Sequence, residues 1–138
     1  MPVSEHAEPG PADPKTGESW HRGNVLGHVA EMLPFWTAQL ELASKGAGEV
    51  GRDESGYEMR REGVHRGDAA NEAELRLEVD TGITGVLALL DGLPAEDLER
   101  EVLFHGRDGD RRARIHELID FLVVGHFEEH VDQVAALS

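Results

Sequence analysis

Between residues 19 and 44 the chain reads SWHRGNVLGHVAEMLPFWTAQLELAS, with Val25, Val29, Met32 or Leu33, Trp36 and Leu40 recurring every three or four positions. That spacing lays one apolar stripe along a helix and predicts a core-facing first helix. Pro34 falls inside it. A proline removes one backbone donor and crowds the preceding turn, so a kink is expected between Ala30 and Pro34. The stripe returns after Asp68 through Leu75, Val79, Ile83, Val86 and Leu90, with Asp68 or Asn71 as the cap and Gly92 and Pro94 as the stop. Gly82 and Gly85 each weaken this second long helix by roughly 1 kcal/mol relative to Ala, which predicts close helix packing at those turns. A third long helix is predicted over IHELIDFLVVGHFEEHVDQVAAL, where Ile115, Leu118 or Ile119, Leu122, Val123, Phe127, Val131 and Val134 form the apolar set.

The segments between are less patterned. Residues 45–68, KGAGEVGRDESGYEMRREGVHRGD, hold six glycines and little periodicity, and read as a long crossover loop. PAEDLER predicts a short helix begun by Pro94. Residues 101–114 then read as an extended connector or small hairpin turning at GRDGD. Residues 1–17 contain four of the six prolines and almost nothing apolar, the composition of a disordered tail. The expectation is one all-α domain over 18–138: a bundle of three long helices, one short helix and a long crossover loop.

Composition narrows the chemistry. There are no cysteines, so disulfides, thiolate metal sites and cysteine nucleophiles are excluded, and any metal must take nitrogen or oxygen ligands. Asp plus Glu number 28 against 13 Lys plus Arg, a formal charge of −15 that repels phosphate backbones and anionic lipid. Nucleic acid and membrane surfaces are therefore not expected partners. No apolar run approaches the roughly 20 residues that span a bilayer, and the N-terminus lacks a signal-peptide pattern, so a cytoplasmic location is expected.

Four of the eight histidines fall within the last 34 residues. In GHFEEH, four residues of α-helix turn about 400°, so His126 and His130 share one face about 6 Å apart along the axis. Two imidazoles so placed can reach one ion, but two solvated or core-edge histidines would be spaced the same way. The stretch also matches H-x-x-E-H, the zinc-peptidase motif with Glu129 as base. That motif needs a further ligand well downstream, and eight residues follow His130, so a peptidase is not expected. His28 lies on the edge of the first helix's stripe, in phase with Val25, Met32 and Phe35. Three histidines from two facing helices would make an open three-ligand site, with the fourth position left for water or substrate. Glu31 and Glu129 lie within a turn of these histidines, as acceptors for an imidazole N–H or as solvated carboxylates. His116 is about 15 Å from His126 along the helix, too far to share its ion. His21, His65 and His105 read as surface residues at a helix start and in loops.

SWHRGNVLGHVAEMLPFW followed by RIHELIDFLVVGHFEEHVDQV resembles the DinB/YfiT-like metalloenzyme family, in which a Trp opens the first helix, a His lies two turns in, and the last helix carries H-x-x-x-H before a Gln. Trp20, His28, His126, His130 and Gln133 occupy those places. The resemblance covers about residues 19–136. It implies a DinB-like four-helix bundle, a divalent metal (zinc or nickel) on His28, His126 and His130, and a homodimer. It further implies a metal-dependent transferase or isomerase related to mycothiol-dependent maleylpyruvate isomerase and the bacillithiol or mycothiol S-transferases, acting on a low-molecular-weight thiol and a small electrophile. The chain departs from the family by being short, with a glycine-rich crossover where another long helix is often found. The alternative is a non-enzymatic small-molecule-binding or structural dimer module with a vestigial or absent metal site.

Overall fold

A computed structural model describes residues 18–137; the expected tail, with its His6, lies outside them. Helix α1 (Arg22–Ser44) is followed by strand β1 (Glu49–Gly51), helix α2 (Glu54–Arg66), helix α3 (Glu72–Gly92) and the short helix α4 (Ala95–Leu98). Strands β2 (Glu101–Gly106) and β3 (Gly109–Arg114) then lead into α5 (Ile115–Leu118), a π-helical segment (Ile119–Gly125) and α6 (His126–Ala136), which follow one another without a break. No helix among the described residues is long and apolar enough to cross a membrane.

Helix α1 runs unbroken through Pro34 and is the axis of the molecule, packed against α2, α3, the π segment and α6. Its stripe residues Val25, Val29, Met32, Leu33, Trp36 and Leu40 are buried with Val79 and Val86 of α3 and Ile115, Leu118 and Leu122 of the last helix. His21 caps α1, its Nδ1 accepting from Gly23 N while Nε2–H donates to Asp68. Asn71, rather than Asp68, caps α3 through Ala73 N. Of the two glycines expected to mark close packing, Gly82 does so, with Leu33 against the place of a Cβ, whereas Gly85 faces open space.

Two expectations are corrected. The protein is mostly helical but not all-α, because the connector at 101–114 folds as the β2–β3 hairpin and β1 joins it in parallel, giving a three-stranded sheet in the order β1-β2-β3. Phe104 and Val102 of β2 and Val50 of β1 carry this sheet into the core. Secondly, the crossover loop contains the 13-residue helix α2. Its buried residues are Gly56, Gly63 and Val64, so it offers no apolar stripe to read. It packs instead by backbone approach. A Cβ on Gly27 would run into the Gly63 carbonyl, and one on Gly67 into the Gly23 carbonyl. Asp53 caps the helix through Gly56 N, and Asn24 Nδ2 donates to Val64 O at 2.8 Å across the helix pair.

Candidate metal centre

His28, in the second turn of α1, is 3 % exposed; His130, on α6, is 8 % exposed; His126, at the start of α6, is half-buried. The three expected ligands converge. One ring nitrogen from each lies within 4.8 Å of the other two. His28 Nε2 and His126 Nε2 are 3.3 Å apart. A tetrahedral zinc with bonds of about 2.0–2.1 Å separates its ligand nitrogens by about 3.3–3.4 Å, so this pair already stands at a coordination edge. Without an ion, the same contact is one N–H···N hydrogen bond.

The tautomers favour coordination. His130 Nδ1 lies 2.9 Å from Gln133 Oε1, and His126 Nδ1 lies 3.3 Å from the Leu122 carbonyl. Both partners are acceptors, so each Nδ1 carries the proton and each Nε2 keeps its lone pair. The π segment has a part in this. The His126 backbone N–H bonds Val123 O, three residues back, and the Leu122 carbonyl meets the imidazole of His126 instead. Such π turns are rare and recur at functional sites.

Charge state points the same way. Burial, then the neighbouring His130 and His126, then Arg60 and Arg52, hold His28 well below the ordinary histidine range. Burial, then His130, lowers His126 to about 4 against a weak opposing pull from the Leu122 carbonyl. Both rings are therefore neutral at pH 7, the form that binds metal. Trp20, just before α1, covers the cluster, its ring 5.1 Å from His28 and stacked 5.9 Å from His130.

The other candidates lie elsewhere. Glu31 does not hold an imidazole: it forms a two-point ion pair with the buried Arg52, whose Nη1 also donates to Gly56 O at 2.7 Å. Glu129 is exposed, which leaves the H-x-x-E-H reading without a base at the histidines. His105 sits on β2, not in a loop, between Asp110 and Glu49, which raise its pKa. His116 faces Glu99, and His65 is exposed on α2 beside Asp68. Two arginines went unread as site neighbours. Arg52 and Arg60 act on the histidines from the segment whose sequence reads as a crossover loop, and no periodicity there signals them. The three histidines can hold a metal ion. No protein-family model, curated protein or solved structure matches the chain.

Proposed function

We propose that this is a metal-dependent enzyme of the DinB-like thiol transferase or isomerase type, with zinc or nickel on His28, His126 and His130. The observation that carries the reading is the pair of Nδ1–H donors, to Gln133 and Leu122, that turn two Nε2 lone pairs toward a buried His28. Three neutral nitrogen donors suit zinc, nickel or cobalt better than magnesium or calcium. Such an ion supplies Lewis acidity at an open position, lowering the pKa of a bound thiol or water. The chain's own part is to orient: Gln133 and the Leu122 carbonyl fix two imidazoles, and Trp20 limits water on one side. The fourth position would take a low-molecular-weight thiol, attacking a small electrophile. The helix α2, found where a loop was expected, brings the helix count to that of a four-helix bundle and supports the resemblance. The homodimer is part of the proposal, supported by Leu77 and Leu87, which α3 leaves 66 % and 61 % exposed.

Metal analysis of chain purified without a histidine tag tests this. About one ion per chain is expected, falling to near zero in His126→Ala. Substoichiometric metal in the wild type, or unchanged metal in the variant, refutes it. A second reading, a non-enzymatic binding module, is favoured by one feature: an open groove of about 560 Å³ between α1 and α3, lined by Ala30, Pro34, Thr37, Thr81 and Gly82, none of them a candidate ligand.

A further inference from the structure

We infer that Arg60 forms a carboxylate-binding subsite beside the three histidines, and that Glu18 occupies it as a built-in competitor. This rests on the metal reading above and adds the chemistry of the ligand's far end.

Arg60 extends from α2 with its guanidinium 5.5 Å from the Trp20 ring, and Trp20 in turn lies against His28 and His130. Its charge reaches the site, being among those that depress His28 and His126. Arg52 reaches it too but is committed: both nitrogens of its fork hold Glu31, and the pair is 4 % and 10 % exposed. The Arg60 pair is looser. Nη2 donates to Glu18 Oε1 at 3.0 Å and Nη1 to Oε2 at 3.5 Å, with Glu18 30 % exposed. A guanidinium fork matched to one carboxylate accepts another with the same geometry.

Two further features call for an anion. Trp20 Nε1 is a buried donor with no hydrogen-bond partner among the described residues. A donor two residues from Glu18 thus stands beside the site for an acceptor that none of the described residues supplies. Charge also fails to cancel. Arg52 is neutralised by Glu31 and Arg60 by Glu18, and three neutral imidazoles bring no negative charge to a divalent ion. In a buried, low-dielectric site that excess favours an anionic ligand despite the negative field of the whole chain. The ligand class is a small molecule with a carboxylate at one end, on Arg60 in place of Glu18, and a thiol at the other for the metal.

The test uses full-length chain loaded with Co(II), whose visible absorption reports its coordination sphere. Titration with 3-mercaptopropionate and with the uncharged 3-mercaptopropionamide separates the carboxylate from the thiol. In the wild type the carboxylate compound is expected to bind about tenfold more tightly, the size of one charge-assisted hydrogen-bonded contact. Arg60→Gln should bind the two alike while keeping its cobalt spectrum. Glu18→Gln should shift the other way, strengthening the carboxylate compound and leaving the amide unchanged. Opposite effects from the two halves of one ion pair are not what a purely structural bridge gives. Equal binding of the two thiols by wild type, or an unchanged preference in Arg60→Gln, overturns the subsite and leaves the metal reading standing. If Arg60→Gln does not fold, Glu18→Gln decides: carboxylate affinity unchanged or weakened overturns it. A wild-type chain that takes up no cobalt overturns both.

Discussion

Replacing Gly27 by alanine tests whether α1 and α2 are held together by backbone approach. The added methyl would meet the Gly63 carbonyl carbon at 3.3 Å, its oxygen closer still, and Gly67 N at 3.2 Å. All three are backbone atoms of α2 or its cap, so no side chain can turn aside; the helices must separate. Overpacking of this kind costs about 1–3 kcal/mol. Separation also strains the Asn24–Val64 bond, whose loss costs about 0.5–1.5 kcal/mol more, because Asn24 Nδ2 keeps Asp68 Oδ1 and Val64 O keeps Gly67 N. Against this, alanine in a helix interior gains about 1 kcal/mol over glycine. The net loss is about 0.5–3.5 kcal/mol, which for a chain of this size lowers Tm by roughly 2–12 °C. Gly85→Ala is the control. It has the same propensity gain and nothing within 4 Å, so it should raise Tm by about 4 °C. Thermal and urea melts followed by circular dichroism measure both. If Gly27→Ala melts with or above the wild type, the close helix pair is wrong; if both variants rise together, propensity and not packing governs.

Three further outcomes follow from the same contacts. Arg52→Leu strands the Glu31 carboxylate at low exposure and should cost about 3–5 kcal/mol, read as the urea midpoint, with Glu31→Gln plus Arg52→Leu recovering part of it. Gln133→Ala removes the acceptor that sets the His130 tautomer, and should weaken metal binding about 10–100-fold in a competitive chelator titration while leaving the melting temperature of the metal-free chain within a few degrees. With metal removed, His28 and His126 have folded pKa values below their unfolded 6.5, so between pH 6.5 and about 4 the unfolded chain binds more protons and stability falls with falling pH. Each ring contributes a slope of at most about 1.4 kcal/mol per pH unit in that window. Urea melts from pH 7.5 to 4.5 should therefore be shallower in pH for His126→Asn than for the wild type; parallel curves would remove His126 from the account.

What could be read beforehand follows from which interactions hold each element. Helices α1 and α3 and the π segment that leads into α6 bury side chains, so Leu40, Val79 and Val123 repeat at helical spacing and the elements are legible. Helix α2 buries glycine backbone, which leaves a pattern of absence that looks like a loop. The hairpin was legible from GRDGD, where Gly109 adopts φ +123°, but the parallel partner Glu49–Gly51 was not: three residues carry no alternation, and the pairing joins positions more than fifty apart. A family pattern is what joins His28 to the other two histidines, since periodicity puts His126 beside His130 but says nothing of which helix faces them. Glu18, Arg52 and Arg60 required the fold itself, because charged residues before a helix or in a glycine-rich stretch are ordinarily solvated.

The π segment links the two halves of this reading. Were Ile119–Gly125 regular α-helix, the His126 N–H would bond the Leu122 carbonyl, the very oxygen that now faces the His126 ring. Regular bonding would make that oxygen serve two donors, the His126 N–H and the ring Nδ1–H, whereas here the backbone N–H turns to Val123 O. The irregular turn also sits in the core, with Ile119, Leu122 and Val123 buried against α1 while Phe121 and Val124 remain exposed. Packing therefore holds in place a backbone arrangement that helix propensity alone does not favour. Backbone geometry of this kind is rare and recurs at functional sites, and here it lies directly before His126, one of three converging imidazoles.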